Sequence, residues 1–258
     1  MRVLLLVLSL VASSLAQGDA KSLYNQAMNK LSGVGPTRND LTGVDLMTRS
    51  ADQGYEPAQV ALGTLYEGGS FVASNPGKAA EYYRKAADQG SDLARYLLGR
   101  LYYVGLLSGG RREGEKWLQQ ASNGGNPFAA YLLGLSVYDR DPALGIAQFR
   151  LAADKGLPYA QYRLGKALLS GRVPPVEKRE AYLWLFVAYD AGVSEAATDM
   201  SILEGDLGST ATEAAKTEAR DMEQRVRRAA NARQCTGWQG ELSPLPTPPP
   251  IDILRYCE

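Results

Sequence analysis

One short pattern recurs along the chain at almost constant spacing. "SADQGYEPAQVALGTLYEG" at residues 50–68 returns as "AADQGSDLARYLLGRLYYVG" at 86–105 and as "LAADKGLPYAQYRLGKALLSG" at 151–171. Taking Ala51, Ala87, Ser122, Ala153 and Tyr189 as markers, the spacings are 36, 35, 31 and 36 residues. A glycine follows each marker (Gly54, Gly90, Gly125, Gly156, Gly192), and an alanine lies four residues beyond it (Ala58, Ala94, Ala129, Ala160, Ala196). In four units another glycine comes five residues later, at Gly63, Gly99, Gly134 and Gly165. Self-similarity of this period is the signature of a repeat array, in which each unit buries its apolar face only by stacking on its neighbours.

Each unit reads as two helices. The glycine after Asp-Gln closes one helix in the left-handed conformation that a side chain would oppose. Start signals for the next helix follow at Ser91-Asp92, Asn126-Pro127 and Ser194-Glu195, with Pro57 and Pro158 in first turns. From the aligned alanine, positions 0, +4, +7 and +8 are mostly apolar (Ala58-Leu62-Leu65-Tyr66, Ala94-Leu98-Leu101-Tyr102), which is a helical core stripe. The glycine at +5 borders that stripe and lets a partner helix approach. The second helix of each unit is predicted to start at Asn75-Pro76, Asp141-Pro142 and Pro174-Pro175. It carries "AAEYYRKAA" (79–87), "GEKWLQQAS" (114–122), "GIAQFRLAA" (145–153) and "AYLWLFVAY" (181–189). The fold class is therefore all-α, a right-handed α/α superhelix (solenoid) of helix-turn-helix repeats.

The segments outside the array divide as follows. Residues 1–16 read as a signal peptide: Arg2, the apolar run "VLLLVLSLVA", and Ser14-Leu15-Ala16 as the cleavage motif, with no cysteine nearby for a lipoprotein anchor. Residues 19–51 read as a degenerate N-terminal helix pair, 51–208 as the array and 209–233 as a capping helix opened by a Thr210–Glu213 capping box. In that helix Asp221/Arg225 and Glu223/Arg227 stand at i,i+4. Residues 234–258 form a Pro-rich tail ("SPLPTPPPID"), polyproline-like in composition. Cys235 and Cys257 are the chain's only cysteines, and in an exported protein the pair is expected to form a disulfide. The expected location is periplasmic or secreted, with no membrane span.

The pattern A-x-x-G-x-x-x-A-x-x-x-L-G-x-x-Y-x-x-G, carried by Ala87, Gly90, Ala94, Leu98, Gly99 and Tyr102 and repeated at Gly54/Ala58/Gly63/Tyr66 and Gly156/Ala160/Gly165, resembles the Sel-1-like repeat, a relative of the tetratricopeptide repeat. The closing "AYLWLFVAYDAG" (181–192) resembles the usual last unit of bacterial members. The third unit departs from the pattern at Ser136-Val137 and has a shorter loop. Cysteine-rich members of the family place a cysteine pair in each repeat, and this array has none, so their lactam-related activity is not carried over. The resemblance implies a role in assembling complexes with other proteins.

Chemistry has little to stand on. There is no histidine, which removes the usual neutral-pH base and the commonest metal ligand. No Ser-x-x-Lys occurs, Gly134-Leu-Ser136-Val-Tyr138 lacks the second glycine of a nucleophile elbow, and Gly68-Gly69 lacks a phosphate-loop lysine. The chain is expected not to be an enzyme and to hold no cofactor or metal. Lys plus Arg and Asp plus Glu each number 28, so no charge bias points to nucleic acid.

Binding has residues to stand on. Positions +2, +6 and +9 of the first helices lie opposite the core stripe: Val60-Thr64-Glu67, Tyr96-Arg100-Tyr103, Tyr131-Leu135-Tyr138 and Tyr162-Lys166-Leu169. Tyr96, Arg100, Tyr103, Tyr131, Tyr138, Tyr162 and Lys166 are the candidate partner-binding residues, because Tyr and Arg dominate binding hot spots. Position +2 has a second reading, as packing against the next unit. The expected protein is a monomeric scaffold that binds a protein or peptide. Two alternatives stay open: a carbohydrate or peptidoglycan binder whose tyrosines stack on sugars, and a lumenal eukaryotic adaptor.

Overall fold

The computed structural model of the chain describes residues 18–33 and 39–232. The signal-peptide residues, the Pro-rich tail and the Cys235/Cys257 pair lie outside them. All regular structure among the described residues is helical. A helix over 18–32 (α1) is followed by α2 (Asp40–Asp52), α3 (Glu56–Gly68), α4 (Pro76–Asp88), α5 (Asp92–Tyr103), α6 (Gly110–Asn123), α7 (Pro127–Val137), α8 (Pro142–Asp154), α9 (Pro158–Leu169), α10 (Lys178–Asp190), α11 (Ala196–Leu207) and α12 (Ser209–Ala232). They fall into two compact units, one ending at Gly110 and the other starting at Arg111. In the first, α3 packs against α2 and α4, and α4 against α5; in the second, α8 packs against α7 and α9, and α10 against α9, α11 and α12.

Local chemistry sets the helix ends. The five aligned glycines Gly54, Gly90, Gly125, Gly156 and Gly192 all have φ between 85° and 100°. There an L-residue would be strained, so each glycine stops one helix and frees the chain to start another. Ser91 accepts a hydrogen bond from the Ala94 amide, Asn126 from Ala129, Asn75 from Lys78 and Asp141 from Leu144, so these four residues cap their helices.

Two expected starts are shifted, and one expected cap is absent. Helix α10 begins at Lys178, not at Pro174-Pro175, because the residue before each proline is pushed toward extended backbone. Helix α11 begins at Ala196 with Glu195 at its N-cap and no side-chain cap, so Ser194 does not play that part. Helix α12 begins at Ser209, where the capping helix was expected, but Thr210 lies inside its first turn; the Thr212 amide bonds the Gly208 carbonyl, Glu213 pairs with Lys216 at 3.1 Å, and the capping box is not formed. Further along α12, Glu223 and Arg227 do pair, at 2.6 Å.

The core stripe is buried as the periodicity requires, with Ala58, Leu62, Leu65, Ala94, Leu98 and Leu101 fully enclosed. Tyr66 is the exception: it lies partly open and stacks on Tyr82 at 5.9 Å between centroids. The +5 glycines sit where helices touch. A Cβ at Gly134 would come within 2.6 Å of two Phe149 ring carbons, and one at Gly165 within 2.7 Å of Leu185 Cγ.

A polar clip ties the two helices of a repeat to the helix before them. Gln59 donates to the Ala51 carbonyl at 3.0 Å and accepts from Gln89 at 2.7 Å. Gln161 repeats the first half, donating to the Ala153 carbonyl at 3.3 Å, but its buried Oε1 has no partner. Ala191 occupies the place of Gln89 with nearly the same backbone (φ −80°, ψ 7° against −84°, 0°). Ala191→Gln is expected to restore the missing donor and stabilise the fold by about 1 kcal/mol. Urea denaturation checks this, and the gain should vanish when Gln161 is replaced by alanine.

Candidate partner-binding face

In the first unit the face is built from α3 and α5. Tyr96 is corrected by the structure: it is 1 % exposed and belongs to the core, so position +2 there is packing and offers no ring to a partner. Val60, the same position one repeat earlier, is also buried. Arg100 reaches back one repeat and donates through Nη2 to Glu67, whose other oxygen accepts the Tyr83 hydroxyl at 2.9 Å. The two charged side chains are 18 % and 16 % exposed. Burial, and then the neighbouring Glu67 carboxylate, push the Tyr83 phenol well above its ordinary range, so it stays a donor. This triad joins α3, α4 and α5. Arg100 is thus largely committed to holding the stack, and Tyr103 beside it is partly exposed.

In the second unit the face is more open. Tyr131, Leu135, Tyr138, Tyr162 and Leu169 are all partly exposed, and Lys166 is 46 % exposed. Tyr138 is held on several sides: its hydroxyl donates to Ser170 Oγ at 2.8 Å, Phe149 lies 5.8 Å away, and the Arg172 guanidinium sits 5.1 Å over its ring. Arg172 in turn pairs with Asp139 at 3.1 Å. Lys166 pairs with Asp199 of the next repeat at 3.2 Å and lies 5.8 Å over Tyr162. A third pair closes the edge, where Arg140 and Ser136 grip Glu115. Burial pushes that carboxyl up, but the Arg140 and Ser136 hydrogen bonds outweigh it and hold it below the usual carboxylate range.

The structure therefore brings Tyr131 and Tyr138 together around Phe149, and Tyr162 with Lys166. Tyr96, in the first unit, is buried and joins no such group on the face. Tyr83, Ser170, Arg172 and Asp199 fix the orientation of the predicted residues and lie outside the +2, +6 and +9 pattern, while Glu67 lies on that pattern but outside the candidate set. Glu67 and Arg100 had a signal: they stand at +9 and +6 of successive repeats, 33 residues apart. No group of three or more metal-ligating acidic or cysteine side chains occurs among the described residues, and no helix among them is long and apolar enough to cross a membrane.

Stacked helix pairs, glycines at the helix ends and a partly open first-helix face define an α/α repeat solenoid. The Sel1 repeat family matches residues 20–55, 56–91, 92–126, 128–157 and 158–193, and the chain belongs to that family. The first helix pair, α1 and α2, is thereby matched as a repeat like the others. Sel1 repeats generally mediate protein–protein interaction and are generally non-catalytic. Among solved structures, the chain is similar to a protective antigen of uropathogenic Escherichia coli strains displaying an SLR fold, with 23 % identity and a TM-score of 0.72, covering 84 % of this chain and 48 % of that one. The chain thus spans about half the length of that antigen. It is also similar to a Sel1 repeat protein from Oxalobacter formigenes, with 25 % identity and a TM-score of 0.62, covering 80 % and 86 % of the two chains. No curated protein matches the chain.

Proposed function

We propose that the chain is an exported, non-catalytic scaffold that captures a partner protein on the first-helix face of its second unit. The observation that carries this reading is the ordered row of Tyr131, Leu135, Tyr138, Tyr162, Lys166 and Leu169. Its rings and charges are held by Ser170, Arg172, Phe149 and Asp199 before any partner arrives. Side chains fixed in advance lose little entropy on binding, and partly open tyrosines supply large contact area with a polar edge. Each cation on the face has an anion beside it, which suits a partner surface that is mainly apolar and hydrogen-bonding. A protein segment fits this better than a sugar, since Arg172 and Phe149 already lie against the Tyr138 ring. Export is supported by the features of residues 1–16.

Tyr138 is a poor residue to delete, because a Cβ at Gly145 would come within 2.9 Å of its backbone and side chain, so the two segments are in close contact. The test uses Tyr162→Ala with Lys166→Glu in the full chain. A protein recovered by the wild-type chain from its native envelope or culture fraction is expected to bind the folded double variant at least about tenfold more weakly. Equal binding of that partner by a variant with unchanged circular dichroism refutes the reading. Retention on purified peptidoglycan, lost in the same variant, supports the carbohydrate alternative instead.

A further inference from the structure

Helix α12 closes the second unit by packing on α10 and α11, and Ala215, Ala219 and Met222 of its inner stripe are buried. It is tied to α10 by charge at two places. Near the start of α10, Arg179 pairs with Glu218 at 2.6 Å, one cation against one anion. At the far end the charges do not balance. The Arg227 guanidinium reaches Asp190, the last residue of α10, at 2.7 Å through Nη2, and Glu223 at 2.6 Å through Nε. One cation thus stands between two carboxyls, one from each helix.

Ionised carboxylates are acceptors only, so two of them hydrogen-bond to each other only when one keeps a proton. Asp190 and Glu223 lie close enough for that bond. The Glu223 side chain is 17 % exposed. Burial first, and then the Asp190 charge, hold its carboxyl above the usual range, although Arg227 pulls it down. The dipole of α10 acts in the same direction, because its negative end lies at Asp190. The other charged groups of the packed helices are engaged elsewhere or exposed. On α11, Glu204 is held by Tyr182 and Lys216, Asp206 by Lys178, and Glu195 accepts from Ser194 at 3.5 Å. On α12, Arg220, Asp221, Arg225 and Arg228 are exposed, as is Tyr189 beside Asp190 on α10.

We propose that the Asp190–Arg227–Glu223 cluster is a proton-operated latch between α10 and the C-terminal half of α12. With a proton between the two carboxyls, the helices share a hydrogen bond and Arg227 neutralises the remaining charge. Without it, two carboxylates face each other over one guanidinium that is itself 63 % exposed and screened by solvent, and that half of the helix loosens. A carboxyl whose folded-state pKa is raised stabilises the docked state at low pH and loses that contribution as pH rises through the folded value. The latch therefore closes in mild acid and opens as pH climbs above the usual carboxylate range. Glu115 and Glu180 are held low by their arginine and neighbouring hydrogen bonds and act in the opposite sense, so the latch is a local property of α12 rather than one of overall stability.

Hydrogen–deuterium exchange of the full chain at about pH 5 and about pH 7.5, corrected for the intrinsic pH dependence of exchange, tests this. Protection of the amides of residues 220–228 is expected to fall about threefold or more at the higher pH. Glu223→Gln, whose amide donates to Asp190 without a titrating proton, should give equal protection at both values, and Asp190→Asn should do the same through the converse bond. Glu218→Gln, which breaks the Arg179 pair and leaves the cluster intact, should lower protection at both values alike. A wild-type helix protected equally at both values, or better at the higher one, overturns the proposal. A fall that persists undiminished in both Glu223→Gln and Asp190→Asn overturns it as well.

Discussion

Glu67→Ala is expected to destabilise the first unit by about 3 kcal/mol, the low end of what breaking a buried ion pair costs. The carboxylate is the common acceptor for Arg100 and the wholly buried Tyr83 hydroxyl, and Arg100 Nε is buried without another partner. Removing Glu67 leaves a guanidinium and a phenol enclosed with nothing to bond. Some exposure of the two charged groups keeps the figure from the upper end. The site also explains an otherwise unfavourable placement, since Glu67 lies at the C-terminal end of α3, where the helix dipole opposes a negative charge. Arg100 from the next repeat offsets that. Tyr83→Phe, which deletes one bond and keeps the ion pair, should cost only about 1 kcal/mol. Chemical denaturation of the single variants and of the Glu67→Ala/Arg100→Ala pair checks the assignment. A loss below about 1 kcal/mol for Glu67→Ala, or strict additivity in the pair, would falsify it.

What could be read from the sequence was what is decided locally. The left-handed glycines Gly54, Gly90, Gly125, Gly156 and Gly192, and the caps at Asn75, Ser91, Asn126 and Asp141, depend on a few neighbouring residues. The stripe of Ala58, Leu62 and Leu65 depends on helical period alone. The binding face was less legible because its state is set between repeats. Tyr96 and Tyr162 occupy the same register, yet one is core and the other partly open, and no local pattern separates them. Likewise Tyr138 meets Ser170 from 32 residues away and Lys166 meets Asp199 from 33. These pairs follow from how successive helices stack, and loops of variable length hide that register in the chain. The start of α10 was misplaced for a related reason: two prolines mark a turn but do not say where the backbone after them resumes a helix.

The +5 glycines turn this stacking into a sharp expectation, in which two opposing effects have to be compared. At Gly63 a Cβ would lie 2.6 Å from Tyr83 Cδ1, well inside van der Waals contact. Alanine gains about 1 kcal/mol in helix propensity over glycine. The ring it meets is fully buried and its hydroxyl is fixed to Glu67, so it cannot turn aside without breaking that bond. Overpacking of this kind costs about 1–3 kcal/mol before any such bond is lost. The clash wins, and Gly63→Ala is expected to destabilise by about 1 kcal/mol net, or about 2 kcal/mol when the Tyr83–Glu67 bond is broken as well. Gly205→Ala in α11, with open space around it, should instead show the propensity gain of about 1 kcal/mol. Thermal or urea denaturation that orders the two variants the other way round would show that Gly63 is not there for helix contact. The decisive comparison is Gly63→Ala in a Tyr83→Leu background. Leucine has no rigid ring and no tether to Glu67, so the added methyl should be tolerated there, and a penalty that persists would have to come from the α3 backbone rather than from the ring.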